Sequence, residues 1–339
     1  MNDSNDLGQR KKDHLQMAIS AQVDSRLMDG RFSYEPLFSS HPRDGEGPKP
    51  STFLGKSMRA PFWVSSMTGG TDSAGKINKN LAQAVAEFGL GIGLGSCRPL
   101  LESDKYFEDF NLRPILGDDR PFYANLGIAQ IEKLLEDGQV VKVANLVEKL
   151  RADGLFIHIN PLQEWLQPGG DRLNRPAIDT IRDFLKEFPF KVAVKEVGQG
   201  MGPSSLRALM ELPLSAIEFG AFGGTNFSKL EIIRGKKEYL YDLVHVGHRP
   251  EEMIKIVQNL LVEMGDTAQC REFIISGGVN SFTQAYYLKE SLGPSSVVGM
   301  ARSFLEHANG GYSNLQKYVK ELIEGYTLCE KFLKLKDNN

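Results

Sequence analysis

Apolar positions along this chain follow two alternating rhythms. From Ala60 onward, short β-rich runs recur about every thirty residues, and between them lie longer stretches whose apolar residues fall at helical spacing. The pattern predicts strands over Pro61–Ser66, Gly91–Ser96, Pro121–Leu126, Leu155–Asn160, Lys191–Val197, Ala216–Phe219, Phe273–Ser276 and Val297–Met300. It predicts helices over Ile77–Phe88, Ala144–Ala152, Ala177–Phe188, Ser204–Glu211, Pro250–Gly265 and Ser281–Ser291, and a closing amphipathic stretch over Leu315–Leu335. Eight βα units point to an α/β protein of the (β/α)8 TIM-barrel class, in which functional residues sit at the C-terminal ends of the strands. The competing architecture, a doubly wound sheet, calls for a glycine fingerprint at a strand-to-helix turn. Gly89-Leu90-Gly91-Ile92-Gly93-Leu94-Gly95 does not supply it. Its strict alternation puts glycine on one face and Leu or Ile on the other, which suits a barrel strand whose inner face must stay clear.

The residues before this rhythm read differently. Residues 1–55 form an N-terminal arm and 56–339 the barrel domain. Arg10-Lys11-Lys12-Asp13-His14 opens a helix expected to run through Met28, and the Pro-, Gly- and Ser-rich stretch from Ser39 to Ser51 reads as loop. The basic cluster fits either a solvated helix end or an arm that folds over an anionic ligand. An inserted segment after strand 6, Phe227 to Arg249 with Arg234-Gly235-Lys236-Lys237, exceeds the usual βα connection and reads either as a mobile lid or as a solvated basic loop.

Composition narrows the partners. A chain of 339 residues with 41% hydrophobic and 24% charged residues can hold one large barrel. A net charge of -3 and a pI near 6.1 provide no global field for nucleic acid or an anionic membrane, so neither is expected, and any anionic ligand must be met by local charge. No apolar run reaches membrane-spanning length and the N-terminus has no signal-peptide core. Cys97, Cys270 and Cys329 are scattered without a CxxC, which suits the cytoplasm and argues against a disulfide framework or a zinc site.

Candidate chemistry gathers at the predicted strand ends. In Gly154-Leu155-Phe156-Ile157-His158-Ile159-Asn160-Pro161-Leu162-Gln163-Glu164, side-chain alternation places Phe156, His158 and Asn160 on one face, and Pro161 ends the strand so that Gln163 and Glu164 fall in a loop beyond it. The other ends carry Ser66-Met67-Thr68-Gly69-Gly70, Ser96-Cys97-Arg98, Asn125-Leu126-Gly127, Lys195-Glu196-Val197-Gly198, Gly220 to Thr225, Ser276-Gly277-Gly278 and Gly299-Met300-Ala301-Arg302. Any one Ser, Thr or Gly there is ordinary helix capping or turn chemistry. Capping does not call for Lys195 on the strand itself, because a buried lysine is costly unless it meets an anion or an electron-rich group. Glycine turns after strands 7 and 8 suit a phosphate, so a phosphorylated cofactor with its head towards Lys195 is expected.

Arg10-Lys11-x-x-His14, Met67-Thr68-Gly69-Gly70, Gly95-Ser96 with Arg98, Asn125-Leu126-Gly127, His158-x-Asn160-Pro-Leu-Gln163-Glu164, Val194-Lys195-Glu196-Val197-Gly198, Gly223-Gly224-Thr225, Ser276-Gly277-Gly278 and Gly299-Met300-Ala301 occur in this order. Together they resemble the type 2 isopentenyl-diphosphate isomerases, FMN-dependent barrel enzymes, over nearly the whole chain. The chain departs from that family at Cys97, where Gln is common, and at Asn226-Phe227, where Ser-Trp is. The resemblance implies that Met67, Thr68, Ser96, Asn125, Lys195 and Thr225 contact the flavin, with Gly277, Gly278 and Ala301 around its phosphate. It implies that Arg10, Lys11, His14, Arg98, His158, Asn160 and Gln163 meet the substrate, with His158 and Gln163 at the chemistry, and that Glu164 holds Mg2+. It further implies reduced FMN as the active form, NADPH as reductant, a small diphosphate as substrate and a homo-oligomer, tetramer or octamer. The implied reaction moves protons only, converting isopentenyl diphosphate to dimethylallyl diphosphate. The alternative is another FMN barrel oxidoreductase, such as a 2-hydroxy-acid dehydrogenase or oxidase. Those rely on a catalytic His with an Arg after a late strand, and residues 221–225 and 276–281 contain no His.

Overall fold

The computed structural model describes residues 3–65 and 72–336; the side chains of 3–9 and 72–73 fall outside that description. Eight parallel strands close into one barrel: β1 (Phe62–Val64), β2 (Gly91–Gly93), β3 (Phe122–Gly127), β4 (Gly154–Ile159), β5 (Lys191–Glu196), β6 (Ala216–Glu218), β7 (Phe273–Ser276) and β8 (Ser296–Met300). Neighbours pair in sequence order, and β8 closes on β1 through Val298, Gly299 and Met300 opposite Phe62, Trp63 and Val64. All eight sequence-derived strands are present, β1, β2, β5 and β6 shorter than expected.

Period-two alternation sorts the barrel interior into two layers. Trp63, Tyr123, Phe156, Ala193, Ala216, Ile274 and Val297 form one buried cluster. Two residues further along the same strands, on the same inward face, stand Ser65, Asn125, His158, Lys195, Glu218, Ser276 and Gly299. The lower layer is apolar and the upper layer polar. Strand β2 adds no bulk to either, since a Cβ at Gly91 would fall 2.3 Å from the Trp63 ring, which is why glycine alternates there.

A hairpin seals the floor of the barrel. Ser51–Phe53 pairs antiparallel with Lys56–Met58, and Phe53, Leu54 and Met58 join the apolar layer, with Phe53 edge-on to Trp63 at 6.2 Å. Phe53 and Leu54, which the sequence reading put in the N-terminal arm, therefore join the barrel's core.

The N-terminal helix is shorter than predicted. Helix α1 (Asp3–Met17) stops eleven residues before Met28, and only a 3-10 turn at Ser25–Leu27 follows, capped by the Asp24 side chain. From Arg10 to Gly30 the chain stays almost wholly exposed, so no packed face extends the helix. The polar group after β4 is also not in a loop: Pro161 sits at the first position of a short helix, α2 (Pro161–Leu166), where its missing N–H costs nothing. The inserted segment is ordered as α3 (Phe227–Gly235) and a 3-10 helix (Glu238–His245), and Ile232 and Val244 pack on Leu166 of α2. After β8 come α4 (Arg302–Asn309) and α5 (Tyr312–Phe332). The final helix ends three residues early, because Leu333–Leu335 turns extended and pairs with Phe32–Tyr34.

Candidate active site

The C-terminal mouth of the barrel holds two groups of side chains on neighbouring strands. The first lines a cavity of about 260 Å³ formed by the ends of β5 to β8, with Lys195, Glu218, Thr225, Gly277, Gly278 and Ala301 in its wall. Lys195 is 7% exposed and donates to the Glu196 carbonyl at 3.2 Å. Burial pulls its ammonium below the usual lysine range, opposed by the charges of Glu218 and Glu196. The Glu196 carboxylate turns away and accepts the N–H groups of Gly198, Gln199 and Gly200 at 2.6, 2.6 and 2.9 Å, fixing the turn after β5. Burial pushes this carboxyl up, while those three donors pull it down.

Close backbone contact explains the glycines on the opposite wall. Gly277 and Gly278 both adopt positive φ, 113° and 74°, and a Cβ would lie 2.1 Å from the Ala221 oxygen in the first case and 2.6 Å from Gly223 in the second. Two glycine turns, after β6 and β7, therefore lock together. Helix α4 begins at the same wall: Ala301, Arg302 and Ser303 line the cavity, and its N-cap Ala301 has no side chain to satisfy the first N–H groups. Such a wall suits a phosphate.

The second group lies around the end of β4. His158 Nδ1 meets Asn125 Oδ1 at 2.9 Å, and Asn125 Nδ2 donates to the Leu94 carbonyl at 3.0 Å. Burial first, then the positive charge of Lys195, hold His158 down at about 3, so its ring is neutral at physiological pH. Asn160, 3% exposed, donates Nδ2 to Glu164 Oε1 at 3.0 Å and to Gln163 Oε1 at 3.2 Å, while its own Oδ1 is buried without a partner. Glu164 Oε2 accepts the Asp171 N–H at 2.9 Å. The Asp171 carboxylate in turn receives Arg98 Nη1 at 2.7 Å and Gln130 Nε2 at 2.9 Å. A single network thus runs from exposed Arg98 to Asn160. Asp171 and Gln130 carry no sequence signal of this role, since each reads as an ordinary solvent-facing side chain.

These groups touch through the sheet. His158 on β4 and Lys195 on β5 are direct Cα partners, as are Lys195 and Glu218 on β6. Glu218 was missed by sequence reasoning, although the parity of Ala216 and Glu218 on one inward face could have revealed it. Ser96 lies half-buried beyond β2, outside the wall of the cavity, with its Oγ 3.4 Å from the Arg98 N–H. Met67 and Thr68 lie outside the described residues. Arg10, Lys11 and His14 lie exposed on α1 and are not brought against either group. Among the described residues no three His, Cys, Asp or Glu side chains cluster as a metal site, and Glu164 has Asp171 as its neighbouring acid in the network. No helix among them is long and apolar enough to cross a membrane.

No protein-family model matches the chain. Among solved structures, a flavocytochrome b2 variant with sulfite bound is similar at a TM-score of 0.61 and 16% identity, over 88% of this chain and 71% of that one. A mandelate oxidase variant with a monooxide FMN adduct is similar at 0.55 and 13% identity, over 90% and 88% of the two chains. At these identities the likeness is one of fold. Sequence relatives reach further: an isopentenyl-diphosphate delta-isomerase of Rickettsia felis is 31% identical over 338 residues, 97% of this chain and 94% of its own. That of Deinococcus radiodurans is 34% identical over 275 residues, 81% of this chain and 78% of its own. The chain belongs to the isopentenyl-diphosphate delta-isomerase family, as its resemblance to the type 2 enzymes implies.

Proposed function

We propose that this protein interconverts isopentenyl diphosphate and dimethylallyl diphosphate as a type 2 isomerase, with reduced FMN in the cavity at the ends of β5 to β8. The observation that carries the reading is the pairing, on adjacent strands, of a lysine-floored glycine cavity with His158, held by Asn125, and the hydrogen-bonded group Asn160, Gln163 and Glu164 just beyond it. The cavity fits a flavin phosphate by its locked glycine turns and uncapped helix start, and an electron-rich ring edge by Lys195. Reduced FMN supplies, when bound, an electron-rich ring for proton transfer, and NADPH is the source of its electrons.

The remaining work falls to the chain. An alkene is a very weak base, so the acid must be held at near-attack geometry in a pocket that excludes water. Lys195 would hold positive charge at the ring edge. Neutral His158, oriented by Asn125 and with Nε2 on the side of Gly127, would accept a proton at that nitrogen, and a bound diphosphate would raise its affinity for it. Gln163 and Asn160 would orient the substrate's hydrocarbon end. Glu164 would hold Mg2+ against the diphosphate, which matches the usual habit of that ion of taking one or two protein carboxylates plus phosphate oxygens. The buried, unpartnered Oδ1 of Asn160 lies beside this carboxylate and suits a ligand that brings a cation or a donor. Arg10, Lys11 and His14 would complete the diphosphate site by closure of the arm.

One reduction of the flavin by dithionite, without oxygen, should support many turnovers of isopentenyl diphosphate with no NADPH consumed. Oxidation of one NADPH per product formed would replace this reading with an oxidoreductase.

A further inference from the structure

The polar layer of the barrel contains a charge that the proposed chemistry does not use. Glu218 is 1% exposed, its Oε2 has no hydrogen-bond partner, and it lines the same cavity as Lys195. A buried carboxylate left this way is costly unless an opposite charge lies close. Lys195 is its direct Cα partner on β5, and both side chains point into the barrel. The other groups facing Lys195 cannot do the same work: His158 on β4 adds no negative charge, Glu196 has turned its carboxylate into the backbone of residues 198–200, and Ser65 and Ser276 are neutral. We propose that Glu218 is a positioning residue, the buried counter-charge that keeps Lys195 a cation and aims its ammonium into the cavity. Of the charges that oppose the burial of Lys195, that of Glu218 is the largest.

The proposal deepens the cofactor reading, since it rests on Lys195 as the contact to the ring, but its first test does not depend on a cofactor. Titration of Lys195 in the full-length protein, followed by NMR of 13C-labelled lysine and assigned with Lys195→Arg, reads the counter-charge directly. Glu218→Gln should lower that titration by about one pH unit or more, a tenfold loss of proton affinity, and Glu218→Asp should restore most of it. Coincident titrations in wild type and Glu218→Gln would overturn the proposal. FMN dissociation constants measured from pH 6 to 9 form a separate arm. Glu218→Gln should bind FMN about tenfold more weakly at pH 9 and recover at pH 6, an effect absent in the Lys195→Met background. A shifted Lys195 titration with pH-independent FMN binding supports the counter-charge and overturns Lys195 as the ring contact. Should Glu218→Gln fail to fold, thermal unfolding decides: Lys195→Met combined with Glu218→Gln should melt higher than Lys195→Met alone, and additive effects would count against the pairing.

Discussion

Asn125 sets the tautomer of His158. The amide Nδ2 is committed to the Leu94 carbonyl, so Oδ1 faces the ring and the proton must sit on Nδ1, leaving Nε2 as an acceptor. The neutral state has a consequence for stability. In the unfolded chain His158 takes up a proton near pH 6.5, whereas in the fold it is held down at about 3. Its contribution is therefore present above about pH 6.5 and is lost as pH falls towards 3. Discounted for the ring's residual contact with solvent, the loss by pH 5 is about 1 kcal/mol. Urea unfolding at pH 7 and pH 5 should show a smaller pH dependence for His158→Gln than for wild type. Equal pH dependences would mean that this ring does not titrate between the two states.

Replacing Glu164 by Gln should reduce turnover by roughly 100-fold or more, with flavin content unchanged. The variant also places an amide where the carboxylate now accepts from both Asn160 and Asp171, so one of those donors loses its acceptor at a cost of about 1–3 kcal/mol. Activity at varied Mg2+ concentration is the check, and turnover with unchanged Mg2+ dependence would remove Glu164 from the metal site.

Deletion of residues 1–14 should leave a folded barrel. The side chains from Arg10 onward in this part of α1 are mostly exposed, and the floor of the barrel is made by residues 51–58 instead. If the arm closes over the diphosphate, KM should rise by tenfold or more, at about 1.5–3 kcal/mol per charge-assisted hydrogen bond lost. A truncated protein with unaltered KM would assign the basic cluster to solvent.

Phe53→Ala should destabilise the whole barrel by about 3–5 kcal/mol, because it empties a fully buried ring site against Trp63. Denaturant unfolding measures the effect, and a change below about 1 kcal/mol would mean that the hairpin is not part of the core.

The strands were legible because a barrel strand buried on both sides is short, apolar and punctuated by glycine, and Lys195 stood out because nothing else explained it. The floor hairpin was not: its strands are three residues each, too short for alternation to register, and they sit among prolines and glycines. The helix expected to reach Met28 failed for the opposite reason, since Leu15, Ile19 and Leu27 fall near helical spacing but stay exposed and unpacked among the described residues. Within the site, His158, Asn160 and Glu164 were readable as a run along the chain, whereas Asp171 and Gln130 join it through hydrogen bonds to residues seven and forty-one positions away. Glu218 was hidden by habit, because a carboxylate in a three-residue strand looks like surface.

The hairpin under Trp63 leaves the barrel with a single door. Whatever lies against Lys195 and Glu218 must enter and leave by the same mouth that serves the His158 side, because the apolar layer and the hairpin close the way below. Two occupants of that mouth would share one entrance, so the exchange of either would depend on the other leaving the way clear.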